Sequence, residues 1–469
     1  MKRRTFLTAT GVTAAGLAMP SEAFAANTPK TLTRSLEDFQ QAIDRAVPGS
    51  TVVLADGTYD VTSPIAITGK RGSRRRPITV RAESCGGVTL TGEQSFVLTG
   101  SSDLTISGFV FRQRTTLELP PDCRRIRLSH NDFQLADFEG LHWVMVRADH
   151  STIVRNVWHG KSTLGIYLGI EGAGTSSMAQ GVYVARNHFR DHTFAGDNGG
   201  EPIRLGVSPR ALSHAGAVIE LNLFGRANGD PEAISVKSSG NVIRRNTIRD
   251  STGGIVLRHG NNNRVEGNYL LAGSNGIRIY GNDHLIVNNY LERIGSAGIV
   301  LGSGSVRDHF AGESAESRRG NDAPDRVRIG LNTVLDCNSA IVGESHRTLP
   351  PLDCAITDNL LMGDTGQLIN MPYPDGIDFS GNLTWGAAAD GNVPATRKDP
   401  RLAAGADGVR RLTEHSPARD AATRWYPGVE TDLDGDQRHG RADVGADEYS
   451  KHRPAGSPLT AAEVGPHSS

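Results

Sequence analysis

The chain has 469 residues, with hydrophobic residues at 37%, charged residues at 22% and a formal net charge of −1, the composition of a folded soluble protein. Gly is abundant at 55 residues and aromatics are sparse at 6%, which suits many tight turns and short strands and argues against a helical bundle. No basic stripe marks a nucleic-acid binder, so any polyanion has to be met by a local cationic cleft.

The N-terminus reads Met-Lys-Arg-Arg-Thr-Phe-Leu, then an apolar stretch from Ala9 to Met19, then Ala23-Phe24-Ala25. A charged start, a short apolar core and a small-x-small end form an export signal, here with a twin-arginine pair at Arg3-Arg4. Residues 1–25 are therefore expected to be cleaved on export to the periplasm or the medium, leaving residues 26–450 as the folded domain. Cys85, Cys123, Cys337 and Cys354 show neither a CxxC pair nor metal-ligand spacing. In an exported protein Cys337 with Cys354 is the favoured bridge, with buried free thiols as the alternative.

Leu36, Phe39, Ala42 and Ile43 share one face of a short helix that ends at Pro48-Gly49. Residues 51–59 follow as strand, turn and strand. From there one phrase recurs: β-branched residues, a polar residue, Asn, then an apolar or aromatic pair. Asn131-Asp132-Phe133, Asn187-His188-Phe189, Asn246-Thr247-Ile248, Asn268-Tyr269-Leu270, Asn289-Tyr290-Leu291, Asn332-Thr333-Val334 and Asn359-Leu360-Leu361 are examples. From Asn222 the next asparagines follow after 24, 22 and 21 residues, and the 43 from Asn289 to Asn332 read as two turns with one Asn missing.

Periods in the low twenties with strand-like content predict a solenoid of stacked coils. Leucine-rich repeats share the period, but their Leu-x-Leu pattern and helical segments are missing. The fold expected is all-β, a single-stranded right-handed parallel β-helix with an N-terminal helical cap. Asn suits its turns because it tolerates left-handed geometry and can hydrogen-bond a stacked copy of itself. The longer gaps around residues 189–215 and 303–325 predict loops projecting from the solenoid. Past residue 385 the rhythm fades. Asp432-Leu433-Asp434-Gly435-Asp436 resembles a calcium loop, but Gln437 stands where the sixth position takes Gly, and a hydrogen-bonded terminal turn is favoured. Residues 451–469 are expected to be disordered.

Lys237 and Arg258 carry the chemistry. They lie 21 residues apart in two alternating segments, with Ile234 and Val236 on one side and Ile255 and Leu257 on the corresponding side. A strand's period of two sends both cations to the opposite, solvent-facing side, on stacked strands roughly 5 Å apart. Two adjacent cations are costly unless an anion lies over them. The chain uses 7 Lys against 43 Arg, so a lysine here is not a default choice, and Lys, unlike Arg, can serve as a base. Upstream, Asp230 and Glu232 with the amide oxygen of Asn198 form an oxygen-rich set of the kind Ca²⁺ takes; on composition alone the same residues read as solvated turns. A cation on a substrate carboxylate stabilises the enolate-like state formed when the adjacent proton is removed. A cationic neighbour lowers a lysine's pKa toward working pH. The sum is β-elimination on a uronic acid.

Asn198-Gly199-Gly200-Glu201 with Ile203-Arg204, then Glu232-Ala233-Ile234-Ser235-Val236-Lys237-Ser238, then Arg258-His259-Gly260 resemble polysaccharide lyase family 6, the alginate lyase and chondroitinase B family. The resemblance runs from Thr31 to Asp443-Val444-Gly445-Ala446. It implies that Lys237 takes the C5 proton, that Arg258 serves the leaving glycosidic oxygen, and that calcium binds through Asn198, Asp230 and Glu232. Asp230 stands where the family usually has Glu, which could weaken or shift the metal site. A guanidinium rarely gives up a proton, so Arg258 reads physically as a charge beside the developing alkoxide. Arg204 and His259 match positions that line the substrate cleft. Tyr280 follows Arg258 by 22 residues and is expected on the next coil, as a surface tyrosine or as a substrate-stacking or proton-relay group. Arg278 and His284 are expected to contact substrate carboxylates.

The partner implied is an anionic polysaccharide, alginate first and dermatan sulfate or chondroitin second, met by a monomer with no nucleic acid and no membrane contact after signal removal. A glycoside hydrolase on the same fold needs a carboxylate pair about the scissile bond, and no Asp-Asp pair precedes His259-Gly260. An alginate epimerase lacks its Asp-Pro-His-Asp run here, and a purely carbohydrate-binding β-helix would need no unusual lysine.

Overall fold

A computed structural model describes residues 30–452 and 454–468; the export signal expected over residues 1–25 lies outside the described residues. Short parallel strands stack into three long sheets of 13, 14 and 11 strands, called here sheets I, II and III. One coil shows the plan: Val218–Glu220 enters sheet I, Leu223–Ala227 sheet II and Glu232–Lys237 sheet III, before Val242–Arg244 returns to sheet I beside its own start. This is the right-handed parallel β-helix expected from the repeat. Among the described residues no helix is long and apolar enough to cross a membrane.

Alternation decides what faces inward. Ile153, Val184, Ile219, Ile243, Val265 and Ile286 are in mutual register along sheet I, all fully buried, so that β-branched side chains form a continuous file on the pleated inner surface. In sheet II the inward file is aromatic. Phe111, Phe133, Trp158, Phe189 and Phe224 stack at centroid separations of 4.7, 4.2, 5.5 and 5.0 Å, at or just inside the close end of favourable ring contacts. The helix Leu36–Arg45 covers the first coil. Ser35 caps it by accepting the Asp38 N–H at 3.0 Å, and Phe39 and Ile43 are buried beneath it.

Between sheets I and II runs a file of buried asparagines: Asn131, Asn156, Asn187, Asn222, Asn246, Asn268, Asn289, Asn332, Asn359 and Asn382. Each donates from Nδ2 to the Oδ1 of the next at 2.9–3.1 Å, and each Oδ1 also accepts the preceding asparagine's backbone N–H. The stacking expected of these residues is present. The left-handed geometry is not theirs: it belongs to the residue before each one, as at Arg155, Arg186, Leu221 and Arg245, with φ of 52–56°. Asn289 bonds directly to Asn332, so the 43-residue interval is one coil with a long excursion, not two coils with a missing Asn. Much of residues 303–325 forms that excursion, whereas the other gap, residues 189–215, contains the strand Ile203–Leu205.

Beyond the last coil a hairpin pairs Leu402–Ala404 with Arg410–Leu412. The chain then returns along the outside, where Val409, Tyr426 and Val444 pack on Tyr269, Tyr290, Leu331 and Leu360. The segment expected to be a disordered tail does not behave as one over residues 454–468. Leu459 and Val464 are buried against Leu223, and Arg155 donates to the Ser468 carbonyl at 3.0 Å. Sequence composition gave no warning, because only two apolar anchors hold the segment. All four cysteines are free, so the Cys337–Cys354 bridge is not formed; their thiols instead donate weakly to the carbonyls of Leu335 and Pro324.

Replacing one buried rung, Asn268→Ala, leaves the Asn246 N–H without a partner and takes one bond from each neighbouring amide, although Asn246 Nδ2 keeps the Ile219 carbonyl and Asn289 Oδ1 keeps the backbone N–H of residue 268. Stability should fall by about 1–3 kcal/mol per group left unsatisfied, read as a lowered denaturation midpoint with unchanged strand content by circular dichroism.

Candidate active site

Sheet III presents the candidate site on its outer face, at the coils containing Ile203–Leu205, Glu232–Lys237 and Gly254–His259. Ile234 pairs with Ile255 and Val236 with Leu257, as the alternation requires, but the register then shifts and Lys237 lies opposite His259. Arg258 is thus the extra residue of a β-bulge, and bulges re-aim side chains. The simple side-by-side arrangement of Lys237 and Arg258 is corrected by this bulge: each cation points to its own carboxylate.

Lys237 Nζ lies 3.3 Å from Glu201 Oε1, with the two side chains 13% and 1% exposed. Arg258 Nη1 donates to Glu232 Oε1 at 2.9 Å while remaining 44% exposed. The second carboxylate oxygens, Glu201 Oε2 and Glu232 Oε2, are buried with no hydrogen-bond partner among the described residues. Between them sits Asp230, whose Oδ1 accepts the Glu232 N–H at 2.9 Å and whose Oδ2 accepts the Gly200 N–H at 3.3 Å. Burial, then the negative charges of Glu201 and Glu232, push the Asp230 carboxyl up to about 7. The oxygens of Glu201, Asp230 and Glu232 do not all come within 4.8 Å of one another, so a hard divalent cation would have to draw the three carboxyls inward, relieving the repulsion that raises Asp230.

Backbone proximity makes this crowding possible. A Cβ on Gly200 would lie 2.2 Å from the Gly229 carbonyl oxygen, and one on Gly229 only 2.5 Å from that of Gly200. Any side chain at either position would push the Glu201 turn away from the Asp230 turn. Asn198 lies exposed on the same turn and makes no hydrogen bond among the described residues. The acid the sequence reading left out of the set is Glu201. Its signal was available: it belongs to the quoted Gly-Gly-Glu motif, one coil before Lys237.

The remaining residues separate into two groups. Arg204 reaches toward Glu171 at 3.9 Å, and Arg278, 46% exposed, lies 3.5 Å from Glu344; both stay on the outer face of sheet III. His259 is buried, with Nε2 3.1 Å from Ser208 Oγ, and burial followed by the charges of Arg258 and Lys237 lowers it to about 3. Tyr280 does stack on the coil after Arg258, but it is buried, and its hydroxyl donates to Glu344 at 2.8 Å and accepts from Arg347 at 3.2 Å. It is neither a surface tyrosine nor open to stack on substrate. His284 cannot meet a substrate carboxylate. It is a buried rung of a second ladder, in which Asn241 donates from Nδ2 to Asn263 Oδ1 at 2.9 Å and Asn263 in turn donates its N–H to His284 Nδ1 at 3.0 Å; the His284 Nε2 lies 2.9 Å from the Tyr280 carbonyl. Glu344 and Arg347 escaped sequence reading because they enter from beyond the residue 303–325 excursion, outside the repeat register.

The calcium-like segment near the C-terminus behaves as a turn. Asp432 Oδ1 accepts the N–H groups of Asp434 and Asp436 at 2.9 and 2.8 Å, and Asp434 is ion-paired with Arg411. Asp432, Asp434 and Asp447 do cluster closely enough to share an ion, yet none has a carboxylate oxygen that is buried and unpartnered.

Fold and site together define a parallel β-helix with ion-paired cations and buried carboxylates on the outer face of one sheet. The sequence profile described as chondroitinase B matches residues 33–383, and the chain belongs to that family, polysaccharide lyase family 6. Among solved structures, it is similar to the family 6 alginate lyase AlyGC at 27% identity and a TM-score of 0.74, over 86% of this chain and 60% of that one. This chain therefore spans less than two thirds of AlyGC. A mannuronic-acid-specific family 6 lyase from the human gut microbiota matches at 25% identity and a TM-score of 0.69, over 77% of this chain and 87% of that one. Pedsa3628 of Pseudopedobacter saltans, at 21% identity and a TM-score of 0.65 over 94% and 100% of the two chains, shares the fold. No curated protein matches the sequence significantly.

His192, His259 and His284 are all lowered, chiefly by burial, from 6.5 to about 4, 3 and 4. The unfolded chain therefore binds protons below pH 6.5 that the folded chain refuses, and stability present above that pH is lost as pH falls toward 4. Asp230, Asp432 and Asp447, raised chiefly by burial to about 7, 6 and 7, act in the opposite sense over the same window, so the histidine contribution is read by comparison with a variant. His284→Asn, which keeps a ladder amide and removes one titrating ring, should lose less stability than the parent between pH 6.5 and 4, measured as the denaturation midpoint.

Proposed function

We propose that this protein is a polysaccharide lyase that cleaves a uronic-acid polymer, alginate first, by β-elimination. The observation that carries the reading is the pairing of Lys237 with buried Glu201 beside the bulged Arg258. Lys237 is the group suited to remove the C5 proton, because the other exposed cations on this face are arginines that stay protonated. As the C5–H bond breaks, its electron pair forms the C4–C5 double bond and the C4–O bond opens toward the leaving sugar. Arg258, half exposed in its bulge, supplies fixed positive charge to that departing oxygen, whose proton comes from solvent. Neutral His259, in register with Lys237, holds the floor of the cleft through Ser208. Arg204 and Arg278 flank the site along sheet III and suit carboxylates of neighbouring sugar units.

Calcium fits the Glu201, Asp230 and Glu232 carboxyls, where it would neutralise a substrate carboxylate; Asn198 is close in sequence and suits an outer ligand. The crowding of Asp230 and the two orphaned oxygens support this assignment. The alginate preference is supported by the two solved structures at 25–27% identity, titled as an alginate lyase and a mannuronic-acid-specific lyase. Dermatan sulfate is the second reading, favoured by the chondroitinase B profile. Work on an extracellular polymer agrees with the export expected from the N-terminal sequence.

Incubation with mannuronate-rich and guluronate-rich alginate and with dermatan sulfate should yield ultraviolet-absorbing unsaturated uronate from alginate. Hydrolysis without absorbance would exclude elimination. Lys237→Arg keeps charge and approximate length yet should reduce turnover by about 10²–10⁴-fold with the fold intact; retention of a few per cent of activity or more would remove Lys237 as the base.

Chelation should depress the rate and added calcium restore it, with Glu201→Gln and Glu232→Ala each resembling the chelated enzyme. Full activity after exhaustive chelation would dismiss the metal.

A further inference from the structure

A second cationic surface lies on sheet I, away from the cleft. From Val61 to Ala82 the sequence holds Lys70, Arg71, Arg74, Arg75, Arg76 and Arg81 with no acidic residue, and Arg71, Arg74, Arg75 and Arg76 are exposed. Two coils' strands on, Arg124–Ser129 adds Arg124, Arg125 and Arg127. Three acids border them: Asp122 and Asp149 lie beside Arg124, and Asp103 is taken by Arg125 through two contacts of 2.6 and 2.7 Å. Among the described residues no carboxylate lies within ion-pairing distance of Arg71, Arg74, Arg75, Arg76, Arg124 or Arg127. Arg127 is half-buried, and burial followed by the nearby Arg155 disfavours its charge. A cation desolvated without a counter-ion is unfavourable unless an anion arrives from outside.

The shape of the surface says which anion. Arg127 is the middle of an outward file in strict register: Thr79, Thr105, Arg127, Thr152 and Tyr183, one residue per coil. Coils repeat at roughly 4.8 Å, close to the length of one pyranose unit. Thus the file offers hydroxyl, hydroxyl, guanidinium and hydroxyl at sugar-like intervals and ends at Tyr183, whose phenol donates to Glu220 at 2.5 Å. Along it runs a shallow groove of about 250 Å³ whose lining includes Arg74, Thr105, Arg127, Thr152 and the Asp103–Arg125 pair, the one carboxylate in the lining being neutralised by its own arginine. No large exposed apolar side chain borders it that could enter a bilayer. Its sheet differs from that of Lys237, and it lies three coils nearer the N-terminus, so one sugar unit cannot occupy both.

We infer that this groove is an auxiliary binding site for a polyuronate chain, holding the polymer while the sheet III cleft works on another stretch. The inference rests on the proposed function only for the identity of the ligand. The arginines would meet carboxylates and the threonine file would meet ring hydroxyls, with no covalent step.

The test uses the full chain carrying Lys237→Arg, so that polymer is not consumed, and measures binding to immobilised alginate over a range of salt. Two patch variants are compared with it: Arg124→Ser with Arg127→Ser, and the exposed-loop triple Arg74→Ser, Arg75→Ser and Arg76→Ser, which touches no core residue. Each should bind about tenfold more weakly, as expected for losing two or three exposed cation contacts, with a shallower salt dependence. In the otherwise wild-type enzyme, the same variants should leave turnover of a short oligouronate unchanged while raising KM on polymer. Unaltered alginate binding in both variants would overturn the site. So would equal patch-dependent binding to neutral dextran, or patch-dependent binding to duplex DNA or anionic phospholipid vesicles in place of alginate. Binding is read without turnover: a protein that cleaves no polyuronate but loses binding in both variants keeps the site and loses the lyase reading, and the converse result separates them equally well.

Discussion

The buried file of asparagine amides between sheets I and II is the constraint on which everything else depends. Each side chain donates to the next coil's side chain and receives that coil's need in return, so no rung can be shifted without orphaning two polar groups in the interior. Parallel strands alone would tolerate slippage, because their hydrogen bonds repeat evenly along the strand. The amide file forbids it. With register fixed at one corner, the β-branched file of sheet I and the aromatic stack of sheet II fall into line, and sheet III receives its strands at known heights.

That regularity gives the departures their meaning. The cleft is where the protein breaks its own pattern: a bulge turns Arg258 aside, a pair of glycines lets two turns approach to backbone contact, and three carboxyls gather where a solenoid would ordinarily place solvated residues. Each departure weakens the coil locally. Each is held by the ladders on either side, the second of which uses His284 as a rung within two coils of Lys237. A site with crowded like charges can persist only on a frame that resists relaxation, and the stacked coils supply that frame.

Much of this was legible in the sequence. The asparagine spacing announced a solenoid, because a repeating contact leaves a repeating letter, and the alternation around Ile234 and Ile255 placed Lys237 and Arg258 on the outer face. What escaped were features with no periodic signature. A one-residue bulge changes the partner of Lys237 without changing the alternation that precedes it. The 43-residue interval between Asn289 and Asn332 has the length of two coils but only one rung's contact, and length alone cannot distinguish these. Tyr280 follows Arg258 at coil spacing and its position along the axis was right, but whether its side chain, or that of His284 nearby, points out or is claimed by Glu344 or Asn263 depends on partners remote in sequence. Glu201 was visible in its motif, but 31 and 29 residues separate it from Glu232 and Asp230, and only the stacking of coils joins it to them.

In a stack of coils each layer touches only the layers above and below, so such proteins can in principle fray one turn at a time from either end. The returning C-terminal segment removes that freedom. Its residues 454–468 bond to Thr247 through Leu459, to Arg186 through Gly465 and to Arg155 through Ser468, contacts 212 to 313 residues apart in sequence for the first and last of these. The chain's end is thereby tied across its own middle, beside the coils that carry Glu201, Asp230 and Lys237. A one-dimensional array is closed into a loop, and the turns nearest the chemistry are clamped from outside by a segment some two hundred or more residues further along the chain.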